Sequence, residues 1–364
     1  MPDRPLFVTR KFPPSVGGME TLAAGVWRTL SASRPDALLL AHGGRNRDLP
    51  RWLPRALVRV ARLAATKRVG FVLTGDALMY AVLAPLLRVL GTRSATMVMG
   101  LDVTYDSRLY RALVHPWLRR CPRVLAISEA TAAAVRDVGV DPDRIHVVRL
   151  GVSAPHLSAG QRARVRADLV RSVGLEDDAV VLLTLGRLVR RKGARWFVAN
   201  VLPALPAHVH YLVAGDGPER GPLEEAVAAA ALGKRVHLLG AVDDATRETL
   251  MAGADLFVQP NIPVEGDMEG FGLVTIEASL RGTPVVASEL EGIKDAVTDG
   301  ETGILLPPED PAAWSRRLTE LTADLTRLSS MGERFASEAR GRYGEEQMGR
   351  ELAAALGLAQ AASR

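Results

Sequence analysis

The sequence predicts an α/β protein made of two doubly wound, Rossmann-like parallel sheets. Three observations carry that expectation. Short aliphatic runs alternate with helix-periodic stretches along the whole chain. Glycine-containing loops follow many of those runs. The 364 residues are enough for two ordinary domains.

The first set of elements opens with a strand at Leu6–Thr9, the loop KFPPSVGG over 11–18, and a helix from Met19 to Leu30. Strands are expected at 37–41, 70–74, 95–99, 123–127 and 145–149, with helices between them. The second set reads as strands at 180–185, 209–214, 235–239, 255–258 and 284–287, with a short sixth at 303–306. The division falls at 165/166, giving domains 1–165 and 166–343; a helix over about 344–364 packs back on the first. Two such domains facing each other would hold a ligand in a cleft outside the strand C-termini.

Composition limits the function classes. The chain is 48% hydrophobic and 24% charged, which fits a globular protein. Its one cysteine, Cys121, excludes an internal disulfide and fits a reducing, cytoplasmic setting. The first residues lack the apolar core of a signal peptide, and no apolar run reaches membrane-spanning length. Charge is uneven: residues 1–150 carry 23 Lys+Arg against 11 Asp+Glu, and the rest 23 against 30. The basic first half suits an anionic acceptor or the inner face of a membrane as a peripheral contact. Arg51, Arg55, Arg59 and Arg62 recur at helical spacing among Trp52, Leu53, Leu57, Val60 and Leu63. This amphipathic stretch would either meet lipid or bury its apolar side on its own sheet. With 5% aromatics and no nucleic-acid motif, no nucleic-acid partner is expected.

The chemistry concentrates in EGDMEGFGLVTIE, residues 265–277. A helix should begin after Phe271-Gly272, run through Glu277 and stop at Gly282 and Pro284. Glu269 precedes that helix start and Glu277 lies inside it, roughly 10 Å apart along the axis at ~1.5 Å per residue. Between them, the amide-rich helix end suits a phosphate. Carboxylates on both sides of an anion suit hydroxyls on both sides, as in a nucleotide sugar. For two glutamates alone, a solvated helix start is the plainer reading.

Gly186-Arg187 ends the first strand of the second set, and Lys192 follows in the same loop. Two fixed cations there can neutralise a pyrophosphate without metal. Arg190 and Arg191 read as solvated. Gly215-Asp216-Gly217-Pro218 and Gly240 end further strands and would line the nucleotide pocket or simply make turns. Asp141-Pro-Asp143 has a D-x-D form but sits in a turn before a strand, and no metal site is expected.

Together, the Gly17-Gly18 loop, Gly186-Arg187 with Lys192, GDGPE over 215–219, EGFGLVTIE over 269–277 and ASLRGTPVVAS over 278–288 resemble the retaining glycosyltransferases of family 4, group 1. The resemblance covers nearly the whole chain and is most specific in the second half. It implies the GT-B fold, two Rossmann-like domains facing across a cleft. It also implies a hexosyltransferase-like enzyme moving sugar from a nucleotide-diphosphate donor to an acceptor glycan, lipid or small molecule. By matching motif, Arg187, Lys192 and Glu269 are the catalytic set. Arg187 and Lys192 contact the diphosphate, and Glu277 holds the ribose. Glu269 and the amides of Gly270, Phe271, Gly272 and Leu273 meet the sugar and phosphates, while Gly17 and Gly18 approach from the other domain. No metal or other cofactor is implied.

One departure stands out. Where family members often read H-G-x-D, this chain has Met99-Gly100-Leu101-Asp102. The change removes a polar side chain from the sugar-binding face and leaves Asp102 without an assigned role. It keeps open a second class of function: a catalytically impaired, nucleotide-sugar-binding regulator or scaffold. A phosphorylase on the same architecture would commonly need a cofactor-bearing lysine, and none is identified.

Overall fold

The computed structural model describes residues 4–15, 17–152, 154–155 and 157–357. The chain forms two compact units. One runs up to Val152 and takes in the stretch from Tyr343 onward; the other lies between, through Arg342.

The first unit holds six strands: β1 (Pro5–Thr9), β2 (Leu38–Ala41), β3 (Phe71–Thr74), β4 (Arg93–Val98), β5 (Val124–Ala126) and β6 (Ile145–Val147). They pair in the order β2-β1-β3-β4-β5-β6, all parallel. The second unit holds β7 (Val180–Leu185), β8 (Val209–Ala214), β9 (Val236–Gly240), β10 (Leu256–Gln259), β11 (Val285–Ser288) and β12 (Ile304–Leu306). Their order is β12-β11-β10-β7-β8-β9, again all parallel. Every strand expected from the sequence is present, most within a residue or two of its expected ends. Central strands such as β1 and β7 are buried along their whole length, as a parallel sheet covered on both faces requires.

Chain order reverses between β1 and β3 in the first sheet and between β7 and β10 in the second. At such a point the loops leaving neighbouring strands diverge to opposite faces and open a crevice at the strand C-termini. In the second unit a buried relay ties the strands beside this point together. Tyr211 on β8 donates to Thr184 Oγ1 on β7 at 2.7 Å, and Thr184 donates to the Val258 carbonyl on β10 at 2.5 Å. Phe197, Tyr211 and Trp314 stack around the same core, with centroids 4.9 Å and 6.1 Å apart.

The helix Ala159–Val173 belongs whole to the second unit, so the boundary precedes it instead of cutting it at 165/166. Arg166 explains why: its Nε lies 2.6 Å from Asp255 Oδ1, and Asp255 also accepts from the Val181 amide. The helix Glu345–Leu356 packs on Gly18–Ser33 in the first unit. There Arg149 N donates to Glu351 Oε2 at 2.7 Å and Arg123 donates to the Ala355 carbonyl at 2.7 Å.

The loops leaving β7, β8 and β9 are packed backbone to backbone. Gly186 N donates to the Ala214 carbonyl at 2.9 Å, and Gly215 N to the Gly240 carbonyl at 2.7 Å. A Cβ on Gly215 would stand 1.9 Å from the Gly186 carbonyl oxygen, and its φ of +142 is itself a glycine conformation. Gly215→Ala is therefore expected to cost more than about 2 kcal/mol of unfolding free energy. Urea denaturation of the two proteins checks this; a loss below about 0.5 kcal/mol, the size of an ordinary surface change, would contradict it.

Candidate functional site

The switch point of the second sheet gathers most of the predicted donor residues. The loop after β7 carries Gly186, Arg187 and a short 3-10 turn, Arg190–Lys192. The segment after β10 runs from Pro260 to Gly272 and enters the helix Leu273–Leu280. The two are pressed together at Gly193, whose φ is +67 and whose absent Cβ would lie 1.8 Å from the Pro260 carbonyl oxygen. Ile262 N also donates to the Arg191 carbonyl at 2.9 Å.

Glu269 is the hub. Its Oε2 lies 2.6 Å from Lys192 Nζ and 3.6 Å from Arg191 Nε. Asn261 Nδ2 donates to the same oxygen at 3.2 Å. Burial pushes the Glu269 carboxyl upward, but the charges of Lys192 and Arg191 outweigh it and hold the group below the usual glutamate range. Glu269 is thus an ionised acceptor of hydrogen bonds. Its backbone is held as well: its amide donates to Glu291 Oε2 at 2.5 Å, and its carbonyl accepts from Gly292 N at 3.1 Å. Glu291 has a left-handed backbone, φ +47, and burial raises its carboxyl.

The helix begins where the sequence places it. Gly272 is its N-cap in a left-handed conformation, and no side chain caps it. Its first-turn amides therefore carry a positive helix end without a neutralising side chain. Phe271 is buried and anchors the approach.

Other expected residues are placed differently. Arg187 is exposed and makes no ion pair among the described residues, so it stands free at the end of β7. Arg191, read from sequence as solvated, is half-buried and pairs with Asp267 at 3.1 Å as well as approaching Glu269. The reason is the turn at Arg190–Lys192, which sends Arg190 outward and Arg191 back along the β10 segment. Glu277 is not on an exposed helix face. It is 5% exposed, and its carboxylate is already paired with Arg247 on the helix Asp244–Gly253. Beside it, Arg281 donates to the Glu277 carbonyl at 2.7 Å and pairs with Glu248. Arg247, Asp267, Asn261 and Glu291 were not singled out from the sequence. Only Asn261, two residues past the end of β10 at the switch point, carried a local signal.

In the first unit, Gly17 and Gly18 open the helix Gly18–Ser33, and Gly17 is its N-cap with ordinary extended backbone. Glu20 is buried in the first turn and pairs with Lys11 at 3.4 Å. Met99 does not end a strand: β4 stops at Val98, and Met99 is 8% exposed with its amide donating to Asp102 Oδ1 at 2.8 Å. Asp102 Oδ2 accepts from Ala77 N at 3.1 Å, at the start of the helix Ala77–Val89. Asp102 therefore ties the segment after β4 to the segment after β3, a structural role the sequence left open. Arg10 and Asp76 pair at 3.0 Å beside it, at the switch point of the first sheet.

Comparisons with known proteins agree with this architecture. The sequence model described as "Glycosyl transferases group 1" matches residues 179–324, and that described as "Glycosyltransferase Family 4" matches residues 16–154. The chain is 35% identical over 231 residues to D-inositol 3-phosphate glycosyltransferase of Corynebacterium efficiens, covering 60% of this chain and 52% of that protein. It is 27% identical over 239 residues to alpha-D-kanosaminyltransferase of Streptomyces kanamyceticus, covering 65% and 60%. The chain thus spans about half to three fifths of the length of these relatives. Among solved structures, Anabaena HepE in complex with UDP-glucose superposes with TM-score 0.79 at 19% identity, covering 97% of this chain and 99% of that one. Sucrose-phosphate synthase from Thermosynechococcus elongatus gives 0.75 at 20%, covering 96% and 98%. At these identities the superpositions establish the GT-B fold.

Burial raises the Asp102 carboxyl to about 6, with Asp76 adding repulsion and the amides of Ala77 and Met99 opposing. Its ordinary value is 3.8, so the folded state holds its proton more tightly. The stability this contributes is fully present below pH 3.8 and is lost as pH rises through about 6. Over that window the loss amounts to roughly 3 kcal/mol at ~1.4 per pH unit. Asp102→Asn should flatten the fall in unfolding free energy between these pH values. An unchanged pH profile would show that Asp102 titrates normally.

Proposed function

Because the chain belongs to the glycosyltransferases of group 1 and family 4, we propose that it moves a sugar from a nucleotide-diphosphate donor to an acceptor hydroxyl, with the anomeric configuration retained. The observation that supports this most is the Lys192–Glu269 pair beside the uncapped helix Leu273–Leu280. A cation, an ionised hydroxyl acceptor and a helix N-terminus without a side-chain cap stand together at one switch point. That set suits a ligand with a sugar on one side of a diphosphate.

In this reading Glu269 accepts hydrogen bonds from donor-sugar hydroxyls. Lys192 and the amides from Gly270 to Leu273, leading into the helix start, take the phosphates, and Arg187, which makes no ion pair among the described residues, swings onto the same anion. Gly186, Gly215 and Gly240 form the closely packed floor beneath the nucleotide. Glu277 takes the ribose hydroxyls once Arg247 shares or yields its carboxylate. HepE was crystallised with UDP and with UDP-glucose, which makes a uridine diphosphate sugar the first donor to try. The acceptor oxygen attacks the anomeric carbon as the bond from that carbon to the diphosphate oxygen breaks. The acceptor proton passes to the departing diphosphate. The protein's contribution is then electrostatic: stabilising the negative charge that gathers on the leaving group.

The reading as a regulator or scaffold rests on Met99. Its amide is still held by Asp102, so the backbone of that segment is intact and only the side chain differs from the family pattern.

Arg187→Ala and Lys192→Ala are each expected to lower turnover with a UDP-sugar by roughly 100-fold or more. They should differ in stability. Arg187 is exposed and its loss should leave unfolding unchanged, whereas removing Lys192 strips a charged partner from Glu269 and should cost about 2 kcal/mol. A chelator should not slow the reaction; inhibition reversed by a divalent ion would overturn the two-cation assignment. Met99→His should leave affinity for the free nucleotide diphosphate nearly unchanged and shift turnover or donor choice by no more than roughly tenfold. Absence of turnover in both the parent and this variant, with donor affinity intact, would favour the regulator.

A further inference from the structure

Six large apolar side chains are exposed among the described residues, and all lie between residues 58 and 113 of the first unit: Val58, Val89, Leu101, Tyr105, Leu109 and Leu113. They fall on a single layer of helices. The helix Ala77–Val89 packs on one side against Leu49–Ala65 and on the other against Arg108–Leu118. Leu101 and Tyr105 sit on the short connection that enters the third helix. Leu109 is 81% exposed and Leu113 47%; four residues apart, they share one helix face.

The charge of this layer is one-sided. Residues 49–120 carry 12 Lys+Arg against 3 Asp. Asp76 and Asp102 are buried, and the third, Asp106, is paired with Arg111 at 3.2 Å. The helix Leu49–Ala65 buries Ala56, Val60 and Ala64 against its own unit. Its apolar stripe is therefore core, while Arg51, Arg55, Arg59 and Arg62 are exposed with no ion pair among the described residues. What the layer offers outward is a cationic field interrupted by aliphatic tips.

We propose that the outer face of this helix layer docks onto an anionic lipid bilayer. Guanidinium groups meet lipid phosphates, while leucine and valine tips enter the headgroup boundary. A second copy of the chain fits poorly, because two such faces would bring like charge against like charge. A nucleic acid fits poorly as well: Tyr105 is the only exposed aromatic among the six, and aliphatic tips offer no stacking platform.

The test is flotation of the full chain with vesicles of phosphatidylglycerol and phosphatidylcholine, and with phosphatidylcholine alone. The protein should float with the first and not the second, and release as salt is raised. Arg55→Glu with Arg59→Glu should weaken partition by roughly fivefold or more per arginine. Leu109→Gln with Leu113→Gln should weaken it by roughly tenfold. All four side chains are exposed, so circular dichroism should be unchanged. No flotation of the parent protein, equal flotation with both vesicle types, or insensitivity to both double variants would overturn the proposal. So would binding of RNA in the absence of flotation. Affinity for UDP on the same variants should match the parent, which separates failure of the docking face from failure of the donor site.

Discussion

The second unit depends on the placement of one ionised carboxylate. Glu269 stands at the C-terminal edge of a parallel sheet, where strand order reverses and no strand continues to cover the backbone. Leaving a carboxylate there half-buried is costly unless cations and donors surround it. Lys192 and Arg191 come from the loop of β7, Asn261 from the end of β10, and Glu291 fixes the Glu269 backbone from the loop after β11. Three strand ends are thus locked to each other through a single residue. Anything that binds Glu269 meets a site already held in shape, and little ordering remains to be done on binding.

The same demand explains which parts were legible in the sequence. Strands such as Val180–Leu185 and Val209–Ala214 were readable because a parallel strand covered on both faces must be apolar throughout. The helix after Gly272 was readable because glycine can take the left-handed cap there. Lys192 and Glu269 were found as separate candidates, and the structure joins them. Their environment was not legible. Arg247 and Glu277 are distant in sequence, and no local period announces that one side chain will cover the other. Arg191 looked like its neighbour Arg190, but a 3-10 turn sends consecutive residues to different sides. The position of Asp102 was visible and its task was not, because the amide it accepts from at Ala77 belongs to another strand's loop.

The first unit shows a contrasting use of the same geometry. Its switch point is filled by its own side chains: Arg10 against Asp76, and Asp102 against the amides of Met99 and Ala77. Its carboxylates are spent on backbone donors and an internal cation, whereas in the second unit Arg187, at the end of β7, makes no ion pair among the described residues. The helices that begin at Gly18 and Leu273 are alike in starting on a glycine without a side-chain cap, so the difference between the two switch points lies in their charged side chains.

The packing of the loops after β7, β8 and β9 limits how this protein can be altered. Gly215 leaves no room for a side chain against the Gly186 carbonyl, and Gly217 leaves none against the carbonyl of Leu188. A donor loop taken from another protein and inserted after β7 or β8 alone would clash with the backbone of the other. Changing donor preference by loop exchange would require transplanting these two together, or else confining changes to side chains on the β10 segment.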